Sequence, residues 1–262
     1  MKAKINEINF GYEIHGREGM PLVLIHGFGL NRKIWLPMVT KYLKDQQVIL
    51  PDLRGHGESD APDGPYPMSL LAEDLVNLLE FLEIEKAILC GHSMGGYIIL
   101  DYADQYPRRM SGIGLITTRA EADTEAGRTG RYEMMGAVKK KGAEPLADSL
   151  GPRLTKDKEL VREMRIMLSE TAPKGIIGSL EGMASRPDRR ELLPDIKVPA
   201  LVVAGAEDQI IDLESAKQMA DALPNGAFLS IPDAGHLPML ETPEALAEGL
   251  QALTRRVENI EG

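Results

Sequence analysis

The chain has 262 residues, 43% hydrophobic and 27% charged, ordinary proportions for a globular protein with enough length for one sizeable core. Its formal net charge of −10 argues against a nucleic-acid surface, which needs basic residues to neutralise phosphates, and against docking on an anionic membrane. Cys90 is the only cysteine, the first sixteen residues carry charges without an apolar leader, and no apolar run reaches transmembrane length. The expectation is a cytoplasmic protein with no disulfide and no membrane partner.

In chain order, AKINEI and NFGYEIHG predict a β-hairpin with an Asn-containing turn. Leu22–His26 reads as a buried strand, residues 33–43 as a helix and Gln47–Leu50 as a second strand. The next helix has Ser69 as its expected cap, Glu73 and Asp74 near its positive end, and a face of Leu71, Leu75, Leu78, Leu79 and Leu82. Ala87–Cys90 is a strand and residues 95–106 a helix. Further strands fall at residues 113–117, 200–204 and 227–231, and Thr242-Pro243-Glu244 opens a final helix. Apolar strands without alternation, separated by helices, predict a mostly parallel, doubly wound α/β sheet of about eight strands. Between Thr118 and Leu193 the rhythm breaks into helical patterns rich in charge and methionine. That stretch is too long for an ordinary loop. The expected organisation is a core of residues 1–117 and 194–262 around a helical cap, 118–193.

Within LCGHSMGGY, Ser93 follows a buried strand and precedes a helix, the context of a nucleophile elbow. The turn strains the serine backbone, and Gly91, Gly95 and Gly96 remove β-carbons that would collide there. A serine hydroxyl needs a base. His236 lies in the loop after the last strand, and Asp208 a few residues past the preceding one. Both loops leave the same sheet edge as Ser93, and the order Ser…Asp…His is the one expected of this arrangement. In LIHGFG, the Phe28 N–H paired with the Met94 N–H would form an oxyanion hole. No metal-ligand spacing or phosphate-binding glycine loop is present, so no cofactor is expected.

Together HGFG, DLRGHGESD, GHSMGGY, GAEDQIID and PDAGHLPMLETPE resemble the α/β-hydrolase superfamily over nearly the whole length. The likeness is greatest to small bacterial carboxylesterases and 3-oxoadipate enol-lactonase-like hydrolases. It implies Ser93 as nucleophile, Asp208 as acid, His236 as base, and the Phe28 and Met94 amides as the hole. A serine nucleophile disfavours the aspartate-based dehalogenases and epoxide hydrolases.

Other residues keep two readings. Arg119 is a substrate-carboxylate contact or a hinge ion pair. The methionines of the insertion are interhelical core or the lining of an adaptable acyl pocket. Gly27, Arg119, Met134 and Met167 are the candidate substrate contacts. His26, His92, Arg54, His56 and Ser59 read as structural, Cys90 as core. The expected activity is a carboxylesterase acting on short- to medium-chain esters, its partner a small-molecule ester. The alternatives are an enol-lactonase or C–C bond hydrolase with the same residues, and a ligand receptor without turnover.

Overall fold

The computed structural model describes residues 1–261. The hairpin forms from β1 (Lys2–Ile5) and β2 (Ile8–His15), paired antiparallel with Ile5 opposite Ile8. Asn6 and Glu7 turn the chain, both at positive φ, 44° and 66°, a backbone whose twist suits a two-residue hairpin. Strand β3 (Glu18–Ile25) starts earlier than the apolar run suggests. Its first half pairs irregularly with β4 (Gln46–Pro51), and the register shifts between Glu18 and Leu22, a stretch that includes Pro21, which has no N–H to donate.

The helix expected over residues 33–43 is divided. Arg32–Trp35 form a 3₁₀ turn capped by the Asn31 side chain, and α1 (Leu36–Tyr42) begins where Pro37 fits a first turn. In α2 (Met68–Phe81) the cap position belongs to Pro67, so Ser69 lies inside the first turn. Asp74 is not a dipole partner facing solvent but fully buried, accepting from Arg54 Nε (2.8 Å) and Nη2 (2.6 Å). A buried pair with several donors is the kind that survives desolvation. Leu71, Leu75, Leu78 and Leu79 form the inward face as expected.

The chain continues through β5 (Ala87–His92), α3 (Met94–Gln105) and β6 (Met110–Ile116). Four helices then intervene: α4 (Glu125–Lys141), α5 (Glu144–Leu154), α6 (Lys158–Glu170) and α7 (Pro173–Ala184). Their ends follow local chemistry. Thr124 and Asp157 accept backbone N–H groups at two N-termini, and Lys139, Lys140 and Lys141 offset the negative end of α4. Arg189 ties the end of this insertion to α3 through Asp101 (2.9 Å) and Asp104 (2.8 Å). The sheet resumes with β7 (Ala200–Gly205), followed by α8 (Leu213–Ala222), β8 (Gly226–Ile231), α9 (Pro238–Glu241) and α10 (Pro243–Glu261).

The strand order is β1-β2-β4-β3-β5-β6-β7-β8, parallel from β4 to β8. Every residue of β5, β6 and β7 is buried, whereas edge strand β8 alternates, as strands covered on both faces and at an edge should. Strand β3 has β4 on one side and β5 on the other, so the winding reverses between β3 and β5. Open α/β sheets form their ligand crevice beyond the carboxyl ends of such strands. No helix among the described residues is long and apolar enough to cross a membrane.

Candidate active site

Ser93 stands at the carboxyl end of β5, on one side of that crevice. Its φ of 52° and ψ of −112° lie where side-chain-bearing residues are strained. The strain is held by neighbours: the Ser93 amide donates to the Ile116 carbonyl (2.9 Å), and the Ser93 carbonyl accepts from the Gly96 amide (2.9 Å) and Thr118 Oγ1 (2.7 Å). The turn is tight enough to demand glycine. A β-carbon at Gly91 would stand 2.3 Å from the Gly95 carbonyl carbon, and one at Gly95 2.6 Å from the Ile25 oxygen.

Asp208 lies in the turn after β7. Its Oδ1 accepts the Ile210 and Ile211 amides (2.7 and 3.1 Å), and its Oδ2 is 2.8 Å from His236 Nδ1. The two side chains are 1% and 2% exposed. With Nδ1 donating to the carboxylate, the lone pair is on Nε2, the state a general base requires. The backbone of His236 is pinned as well. Its carbonyl accepts from His92 Nε2 (2.8 Å) and Thr117 Oγ1 (3.1 Å), and its amide donates to the Leu154 carbonyl at the end of α5 (3.1 Å). Glu207 instead pairs with Lys156 at the surface.

Across the crevice, residues 26–30 form a loop held by two imidazoles. His26 Nδ1 donates to the Gly27 carbonyl (2.8 Å) and its Nε2 accepts the Leu53 amide (2.9 Å). His56 Nδ1 donates to the Arg54 carbonyl (3.0 Å) and its Nε2 accepts the Gly29 amide (3.1 Å). Burial drives the pKa of His26 down to about 4 and that of His56 to about 3, and pushes His92 well below the usual histidine range. From the insertion, Thr171 Oγ1 donates to the Gly29 carbonyl (2.7 Å). Neither the Phe28 nor the Met94 amide has an acceptor among the described residues.

Ser93, His236 and Phe28 all border one cavity of about 460 Å³, roofed by residues of α4, α5 and α7. That is a size suited to small-molecule ligands. The sequence profile of the alpha/beta hydrolase family matches residues 22–249. The chain belongs to this family. A thermophilic esterase from Thermogutta terrifontis, solved with malate bound, is 34% identical with a TM-score of 0.93 over 98% of each chain. The enol-lactonase from Burkholderia xenovorans is 27% identical with a TM-score of 0.89, over 97% of this chain and 100% of that one. Among sequences, 3-oxoadipate enol-lactonase 1 of Acinetobacter baylyi is 29% identical over 253 residues, 94% of this chain and 93% of its own.

In this hydrolase the candidate substrate contacts divide. Met134 and Arg119 border the cavity. Gly27 lies beside Ser93, since a β-carbon there would be 3.3 Å from Ser93 Cβ. Met167 does not border the cavity; it packs half-buried against the core. Helical spacing placed it on the insertion but could not say which face meets the ligand. The methionines serve both purposes, Met134 and Met183 on the cavity and Met135 and Met164 in the helix interior. Arg119 makes no ion pair among the described residues, giving one N–H to the Ile210 carbonyl (2.7 Å). Sequence reasoning missed Tyr97, Leu150 and Arg153, which also border the cavity. Arg131, also missed, is shared out differently: with Arg186 it binds the half-buried Asp123. Burial alone would raise the Asp123 carboxyl, but the bonds and charges of the two arginines hold it below its ordinary pKa.

Proposed function

We propose that this hydrolase is a serine carboxylesterase in which Ser93, His236 and Asp208 form the triad and the insertion, residues 118–193, acts as a cap. His236 Nε2 takes the proton of Ser93 Oγ as the oxygen attacks an ester carbonyl. The Phe28 and Met94 amides receive the charge on the carbonyl oxygen, where one such donor is worth about 3 kcal/mol. The imidazolium, stabilised by Asp208, then gives its proton to the departing alcohol. Water, deprotonated by the same imidazole, releases the acid and restores the serine. One observation carries this reading: a buried His236–Asp208 pair at 2.8 Å opens on the same cavity as a serine with a strained backbone. Each methylene taken into the cavity contributes about 0.8 kcal/mol, roughly fourfold in kcat/KM, until the space is full. That supports short- to medium-chain acyl groups. Ser93→Ala should abolish p-nitrophenyl butyrate turnover in a folded protein; retained turnover removes the mechanism.

The likeness to two enol-lactonases supports a second reading, in which the same residues open a lactone. A panel of simple esters and enol-lactones, compared by kcat/KM, separates the two.

A further inference from the structure

The charged side chains bordering the cavity are Arg119, Arg131 and Arg153 against a single acidic residue, Asp123. This surplus of positive charge sits in a chain whose formal net charge is −10. Part of it has a structural use. Asp123 receives hydrogen bonds from Arg131 and, at 2.6 Å, from Arg186, whose guanidinium lies 4.2 Å over the Tyr97 ring. Arg131 is therefore already engaged.

Arg119 and Arg153 are not. Arg119 is half-buried and spends one of its N–H donors on the Ile210 carbonyl, with no carboxylate beside it. Arg153 has neither an ion-pair nor a hydrogen-bond partner among the described residues. Both border the cavity on which Ser93 and His236 open, Arg153 from an exposed position. Arg119 follows Thr118, which holds the Ser93 carbonyl, and Arg153 precedes Leu154, which holds the His236 amide. A guanidinium presents paired donors in a planar fork that matches a carboxylate, and cavity walls concentrate the field of like charges on whatever enters.

We infer that the cavity selects esters carrying a free carboxylate, bound by Arg119 and Arg153, while Arg131 stays with Asp123. The inference rests on the serine-hydrolase reading and narrows its substrate class. The test compares monomethyl glutarate with methyl 5-methylhexanoate, a neutral ester of the same shape, by proton release at low ionic strength. The ratio of their kcat/KM values should favour the anionic ester by about tenfold or more, mainly through KM, and shrink as salt is added. In the Arg119→Gln/Arg153→Gln double variant the ratio should fall towards one. A ratio near one in the wild type, or one unchanged in the double variant, overturns the inference while leaving the hydrolase reading intact. Glutarate binding to Ser93→Ala, followed by calorimetry, is independent of turnover. It should be measurable at low salt and lost when both arginines are also replaced, and binding that survives their replacement counts against the inference. If neither ester is cleaved, it is the hydrolase reading that fails, and the calorimetry still decides whether the cavity takes a carboxylate.

Discussion

Acidification from pH 7 to 5 should cost this fold a large part of its stability, because His26, His56 and His92 are wholly buried and their rings are held neutral. Each has a folded pKa depressed below the roughly 6.5 of an unfolded histidine. Its contribution is therefore fully present above pH 6.5 and is lost as the pH falls towards the folded value. The unfolded chain takes up close to three protons there that the folded chain refuses. That amounts to about 4 kcal/mol per pH unit near pH 5.5, and about 6 kcal/mol between pH 7 and 5. Typical domains have only about 5–15 kcal/mol in total. Asp101, its pKa raised by burial, works in the opposite direction, and Asp123 and Glu13, with lowered values, add to the acid loss at still lower pH. Urea unfolding at pH 7.5, 6.5, 5.5 and 5.0, followed by the fluorescence of Trp35 and by circular dichroism, measures the slope. Uptake of fewer than one proton per molecule on unfolding between pH 6.5 and 5.5 would refute the reasoning.

Two substitutions test the loop around Phe28. In Gly27→Ala the new methyl would lie 2.6 Å from His92 Nδ1 and 2.9 Å from its Cε1, on a ring pinned through its bond to the His236 carbonyl. The loop must move instead, and kcat should fall about 100-fold in protein still folded at the assay temperature, the effect of losing one oxyanion donor; a fall under about threefold speaks against the Phe28 amide as a donor. Thr171→Val leaves the buried Gly29 carbonyl without its hydroxyl partner. Stability should drop by about 1–3 kcal/mol, with kcat falling more than KM rises, and Thr171→Ser should restore both.

The sheet and its crevice could be read from the chain because their signals are local. Continuous apolar strands, the glycines around Ser93 and the loops carrying Asp208 and His236 need only the rule that successive strand ends share one edge. The role of Asp74 was not legible, since an acidic residue early in a helix looks the same whether it faces the dipole or a buried arginine 20 residues away in the chain. Nor were α8 and α9 marked: α9 has only four residues, whereas α8 carries an Asp212 cap and an apolar face of Ala216, Met219 and Ala220 that could have been read. The roof of the cavity was the least readable part. Met134 and Met167 share composition and helical context, and only the packing of α4 to α7 against one another decides that the first meets the cavity and the second the core. Arg17, Arg108 and Arg255 likewise make no ion pair among the described residues, so what sets Arg119 and Arg153 apart is their place beside the cavity, which a linear sequence does not display.

Among the ties that fasten the helices of the insertion to the loops around Ser93 and His236 are two through buried backbone groups, Thr171 to the Gly29 carbonyl and the Leu154 carbonyl to the His236 amide. Exchanging these helices for those of a relative, as a way of altering specificity, is thus not a neutral transplant. A donor segment that fits the groove but lacks a hydroxyl at the first junction or a correctly aimed carbonyl at the second would deliver a new pocket above a slackened machine. Chimeras that keep Leu154 and Thr171 with their immediate flanks, and replace only the cavity-facing turns of α4, α7 and the first part of α5, should change selectivity without surrendering turnover.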